Sequence, residues 1–417
     1  MITKVKTMFG THHRKLLFII FLFVGVLLLV SLFSYTLMAG TETPLENVVH
    51  VNSESGLKNA VDNAGFGVPV VIVLDSDIAL TWGALGIPAG KDIALSSNNK
   101  ENGFYQLIGA MKGRYDATIL VESGGVLRLD GIIVTHADGV SGTGIGVYEG
   151  GTLIMYAGKI SGNYNPERYL GHGSYMGGSG GVDNRGVFEM FGGEIAGNTG
   201  KIGGGVSNRG KFTMYDGTIS NNNAESGSYS AMAGGSGYGG GVDNNGNFTM
   251  YDGTISNNNA GYSGGGIASG GDFTMHNGKI IHNKARYGGG VYSSTFEMFG
   301  GEITKNTVVA DGGGIYNCDH FTMHDGKISD NKAGGHGGGI YNSEYHSITC
   351  NILSGEVADN TVSEGNNIYP IENDTIKANA ELPIAVICVS VIVIVAIAVG
   401  GLLLYYKQKN RPHQIHF

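Results

Sequence analysis

The chain has 417 residues, 73 of them Gly and only 7 Pro, and a formal charge of −9 from 26 Lys and Arg against 35 Asp and Glu. Glycine at roughly two and a half times the usual share of about 7% is foreign to an average globular domain, and the absence of a Gly-X-Y period excludes collagen. The mild negative charge, with no basic stripe, excludes a nucleic-acid partner, and three cysteines are too few for a disulfide-dense scaffold.

Residues 1–15 are a basic leader carrying Lys4, Lys6, Arg14 and Lys15, and residues 16–38 follow as an apolar segment that is almost pure hydrocarbon over 16–33. That order predicts a signal peptide or an uncleaved signal anchor. Ala39–Gly40 is the one small-residue cleavage site, with Leu37 an awkward third residue before it. Residues 39–47 read as a linker.

Residues 48–147 are predicted to form an N-terminal cap and irregular coils. A short helix over 55–64 would place Leu57, Ala60, Val61 and Ala64 on one face and cover the open end of a stacked core. Strands are predicted over 68–74, 118–121, 126–129 and 153–155.

Residues 148–370 repeat. Met155, Met190, Met214, Met250, Met275, Met298 and Met323 each have Leu153 or a Phe two places before and a Gly three places after. An Ile follows each Met at five places and an Asn at eight, from Ile160 and Asn163 to Ile328 and Asn331. Between these segments a glycine run ends in Val182, Val206, Val242, Ile267, Val291, Ile315 or Ile340, at gaps of 24, 36, 25, 24, 24 and 25 residues. A period of 24–25 suits one three-strand coil of a parallel β-helix and is too short for paired-helix repeats. The predicted fold is therefore all-β, a right-handed parallel β-helix solenoid.

The column chemistry fits. Alternation in Phe212-Thr213-Met214 sends Phe and Met inward, Gly217 allows a positive-φ turn, and Asn222 at a bend would stack on Asn258 one coil away. At ~25 residues per coil the solenoid would have about thirteen coils and a length of roughly 60 Å.

Residues 371–382 are a linker, 383–406 an apolar run long enough to cross a ~30 Å hydrocarbon core, and 407–417 a basic tail. Tyr405 and Tyr406 sit at its edge, followed by Lys407, Lys409 and Arg411. The positive-inside rule places both basic ends in the cytoplasm and the β-helix outside. Of the cysteines, only Cys318 and Cys350 lie outside apolar runs, and the sequence leaves their pairing open.

Phe-Thr-Met…Gly-x-Ile-x-x-Asn followed by Gly-Gly-Gly-Val/Ile resembles the repeat of polymorphic outer-membrane proteins and of the adhesin-like surface proteins of methanogenic archaea. The resemblance covers about residues 48–369 and implies a right-handed β-helix and a role in surface attachment. The chain departs from the outer-membrane group in ending on one apolar helix instead of alternating barrel strands. It also lacks a sortase motif.

Two intervals exceed the period by about 12 residues, 165–176 and 225–236, both just before the glycine run. The first carries Tyr169, His172 and Tyr175, the second Tyr229, with Tyr238 just after it. Each leads to an outward aspartate, Asp183 or Asp243, and Arg185 and Arg209 follow that column by two residues. Tyrosines that stack on sugars, with carboxylates and arginines that fix hydroxyls or acidic groups, predict a glycan groove. Asp183 and Asp243, about 10 Å apart at the backbone, would also suit inverting hydrolysis, while tolerated insertions with solvated polar residues remain the plain alternative.

Asp216, Asp252 and Asp325 precede turn glycines and allow only a weak surface calcium site. The ring column Tyr156, Phe191, Tyr215, Tyr251, His276, Phe299 and His324 reads as structural. No metal or other cofactor is expected. Asn247 and Asn373 begin glycosylation sequons. The expectation is a membrane-anchored extracellular adhesin-like protein that contacts glycans or surface proteins of other cells. A pectin-lyase-like polysaccharide enzyme and a ligand-free envelope component are the alternatives.

Overall fold

The computed structural model describes residues 47–370, apart from 98–102, 112–116, 166–167, 172–173, 177, 227–236, 345–347 and 364–365. The two apolar segments, 16–38 and 383–406, lie outside the described residues, as do the basic ends and Asn373. Among the described residues no helix is long and apolar enough to cross a membrane.

The chain winds into an all-β parallel solenoid of about eleven turns, fewer than the thirteen its length predicts. Several coils are long: Asp92 pairs with Val126, Thr152 with Val187 and Lys211 with Asn247, and each of these steps consumes an insertion.

A regular coil contains four strands, not three. In one turn these are Val206–Asn208, Lys211–Met214, Thr218–Ser220 and the two-residue Asn223–Ala224. Each pairs in parallel with its counterpart one coil on, so that Val206 faces Val242, Phe212 faces Phe248, Ile219 faces Ile255 and Ala224 faces Ala260. The fourth strand escapes a reading of periodicity because two residues are too few to alternate.

In-register stacking puts like on like. Phe188, Phe212, Phe248, Phe273, Phe296 and Phe321 are buried and stack with centroids 4.5–5.1 Å apart. Burying one such side chain stabilises by about 1.5–3 kcal/mol, and the offset of stacked aromatic pairs adds to that. The short fourth strands build a second, small apolar column of Ala224, Ala260, Ala285, Val308 and Ala333.

Two glycine positions are dictated by space. Gly217 has φ 109°, and a Cβ there would lie 2.6 Å from Met190 Cε. Gly240, inside a glycine run, would put a Cβ 2.4 Å from the carbonyl of Gly265 in the next coil. Backbones approach too closely there for any side chain.

The predicted asparagine ladder is present and buried. Asn222 donates from its backbone N and from Nδ2 to Asn258 Oδ1, both at 3.0 Å, and Asn258 does the same to Asn283. A second buried polar column, unforeseen, lies at the third residue of the glycine-run strand. Asn184 Nδ2 donates to Asn208 Oδ1 and Asn208 Nδ2 to Asn244 Oδ1, each at 2.7 Å, and Asn244 Nδ2 reaches Ser269 Oγ at 2.9 Å.

The cap helix spans Glu54–Asn63. Ser53 Oγ accepts from the Gly56 N–H at its start, and Leu57 and Val61 enter the core. Glu54 ties the helix to the first coil: its carboxylate accepts from the Thr81 N–H and hydroxyl, the Trp82 N–H and Lys58 Nζ. Burial alone would push this carboxyl up, but these bonds hold it down at about 2. Cys318 and Cys350 are both free. Cys350 stacks on Phe321 inside the core, so the two do not form a disulfide.

Candidate functional site

Both insertions leave the coil after the short fourth strand and before the glycine run. The first folds back as an antiparallel hairpin, Arg168–Gly171 against Ser174–Met176, which sets Tyr169 opposite Tyr175. His172 and Tyr229 lie outside the described residues.

The outward position of the glycine-run strands holds Asp183, Ser207 and Asp243 in succession, paired in register. The arginines converge on the first of these. Arg209 Nη1 lies 2.8 Å from Asp183 Oδ1, and Arg185 Nη2 lies 3.5 Å from Oδ2. All three side chains are partly exposed, so the cluster contributes modestly to stability.

Asp243 departs from expectation. The alternation predicts a carboxylate facing solvent, but the residue is only 6% exposed. Its one side-chain hydrogen bond runs from Asn245 Nδ2 to Oδ2 at 2.8 Å. Burial pushes its carboxyl up to about 7, against the opposing influence of Arg209 and Asn245. Tyr238 lies close enough that Asp243 raises the phenol, after burial and Tyr262. Ser207 and Ser263 are also buried in this sector, and neither hydroxyl oxygen has a hydrogen-bond partner among the described residues.

Hydrolysis would require one carboxylate free to activate water. Asp183 has both oxygens engaged by guanidinium groups, so the pair is better arranged for holding a polar ligand than for turning one over.

The aromatic residues divide by geometry. Tyr156, Phe191, Tyr215, Tyr251, His276, Phe299 and His324 form a continuous parallel stack with centroids 4.4–5.4 Å apart. Each ring between the two ends is covered on both faces by its neighbours, which closes the faces a sugar would need. Tyr238, Tyr262 and Tyr287 behave differently. They meet edge to face at 5.5 and 5.6 Å with interplanar angles of 72° and 65°, and Tyr262 is 36% exposed.

The sequence reading included Tyr238 but missed Tyr262, Arg286 and Tyr287. The signal was available: Tyr238 and Tyr287 stand immediately before a glycine run, and Tyr262 stands two places before one.

The turn aspartates are occupied by their turns. Asp216, Asp252 and Asp325 each accept from the N–H of the following glycine at 2.7–2.8 Å. Among the described residues no group of three or more His, Cys, Asp or Glu is placed to hold a metal ion. Asn247 is exposed at the start of its strand, where a glycan could be attached.

No protein-family model, no curated protein and no solved structure matches the chain.

Proposed function

We propose that this chain is a membrane-anchored, extracellular, adhesin-like protein whose right-handed solenoid presents a glycan-binding face. One observation carries the reading. The columns around the coil are self-paired from turn to turn, but the sector beside the glycine runs breaks its own pattern. There Asp183, Ser207, Asp243 and Ala268 differ from coil to coil before the column settles into Tyr292, Tyr316, Tyr341 and Tyr369, and both insertions enter the same sector where the residue type changes. Packing alone favours repetition of one residue type, as the tyrosines show, so the change of residue type beside the insertions supports a local role there beyond packing, with Asp183 as its partly exposed member.

The apolar segments 16–38 and 383–406 support attachment to a membrane, with the solenoid outside. The resemblance of the repeat to adhesin-like and polymorphic outer-membrane proteins supports the surface role. The test is a glycan array probed with the full chain in detergent, with and without calcium, beside a chain lacking both insertions. Retention of defined sugars by the full chain, reduced on loop removal, supports the reading. Release of shortened sugars would move it to a polysaccharide-active enzyme, and silence on every sugar would leave a protein-binding adhesin or a ligand-free envelope component.

A further inference from the structure

Arginine usage along the solenoid is uneven. Arg128 is bonded to Asp92 at 2.8 and 2.9 Å, and Arg185 and Arg209 share Asp183. Arg286, which is exposed, makes no ion pair among the described residues. Its guanidinium lies over the Tyr287 ring at 5.4 Å from the centroid. A guanidinium in that position keeps its donors directed at solvent while the ring contact restricts its motion.

The surroundings are those of a sugar site. Tyr262 meets Tyr238 and Tyr287 edge to face and Tyr287 meets Tyr316 in the same way, so neither ring is stacked face on face on another, and Tyr262 is 36% exposed. An exposed tyrosine and an exposed guanidinium thus stand side by side on successive coils, the Arg286 backbone N–H donating to the Tyr262 carbonyl at 3.1 Å. A carboxylate is the group that a guanidinium binds with two parallel hydrogen bonds, and a pyranose is the polar ring whose C–H face matches a phenol.

We propose that Tyr262, Arg286 and Tyr287 form a binding site for a carboxylated sugar, the ring lying against the tyrosines and the carboxylate on the Arg286 guanidinium. The proposal rests on the glycan-binding reading above and moves the principal contact from the Asp183 cluster between the insertions to the coils that follow them. The carboxylate could belong to a uronic acid within a polysaccharide or to a terminal sialic acid.

The test uses the full chain in detergent on an array with three arms: neutral chains, uronate-containing chains and sialylated glycans. Retention on a carboxylated arm is expected, and which arm responds identifies the source. Arg286→Ala should weaken it by about tenfold or more, as loss of a charge-assisted contact does. Arg286→Lys should restore part of it, and Tyr262→Ala should weaken it without changing its salt dependence. Both side chains are exposed, so an unchanged thermal midpoint separates lost contact from lost fold. Retention confined to neutral sugars, or binding that survives Arg286→Ala but fails in Arg209→Ala, would overturn this site and leave the glycan-binding reading standing. A wild-type chain that retains no sugar overturns both.

Discussion

Asp183 and Asp243 occupy the same outward position on strands two coils apart, joined through Ser207, yet their surroundings are opposite. Asp183 meets two guanidiniums, while Asp243 is buried with a single amide donor. The second arrangement has a consequence for stability. Burial pushes the Asp243 carboxyl up from 3.8 to about 7, so between those values the folded chain holds a proton that the unfolded chain has released. Its stabilising effect is therefore complete below pH 3.8, declines as pH rises, and is lost above about 7. Asp243→Asn removes the titration. The advantage of the variant over wild type should widen by about 2–3 kcal/mol between pH 5 and pH 8, read from thermal or denaturant midpoints. Parallel pH profiles for the two chains would show that the carboxyl is not buried in solution.

Much of the architecture was legible in the sequence because stacked coils force the same environment on the same position. Phe212 recurs as Phe248 since a misfit at one level meets the next level directly, and Asn222 recurs as Asn258 since each amide serves its neighbour. Legibility failed where that rule is silent. The fourth strand is too short to show a period. The inward Asn184–Asn208–Asn244 column was hidden because polar residues in a strand are read as facing solvent. At the candidate site, the sequence could order Asp183, Arg185 and Arg209 along the coil, but it could not show that both arginines turn to one aspartate or that Asp243 is covered. Those outcomes depend on which side chain reaches across a coil.

The cap offers a prediction of opposite sign. The Glu54 carboxyl is held at about 2 against an ordinary 4.5, so its stabilising effect is full above pH 4.5 and lost as pH falls toward 2. Glu54→Gln places an amide N–H among the donors of Thr81, Trp82 and Lys58. It should loosen the helix by about 2–3 kcal/mol, seen as faster amide hydrogen exchange over Glu54–Asn63 at neutral pH. Exchange rates equal to wild type would show that the carboxylate does not anchor the cap.

One position of each regular coil, immediately before the ladder asparagine, adopts a left-handed backbone. Gly162 and Gly197 fill it in two coils, whereas Asn221, Asn257, His282, Lys305 and Asp330 fill it later with φ of 55–58°. Glycine and asparagine tolerate that region; lysine does not, at a cost of roughly 1–2 kcal/mol. Lys305 is exposed and its charge has no partner among the described residues. Lys305→Gly should therefore raise stability by about 0.5–1 kcal/mol, the relieved strain exceeding the added freedom of the unfolded chain. A lower midpoint for the variant would mean that the lysine stem packs usefully on the coil surface.

The asparagine ladder should control whether the solenoid unfolds as one body. Asn258 accepts from the N–H and Nδ2 of Asn222, donates to Ile219 O, and donates twice to Asn283 Oδ1. Asn258→Ala keeps the backbone donor to Asn283 but strands the Asn222 donors and the Ile219 carbonyl inside the protein. Each buried group left unpaired costs about 1–3 kcal/mol, so a total loss of roughly 3–5 kcal/mol is expected. In a stack where each coil touches only its neighbours, stability is the sum of coil terms and interface terms, and one weak interface divides the stack. Denaturant unfolding of Asn258→Ala, followed by hydrogen exchange along the chain, should then resolve two transitions, one for the coils before Asn258 and one for those after it. A single transition at a lowered midpoint would show instead that the stacked Phe212 and Phe248 rings hold the two halves together without the amides.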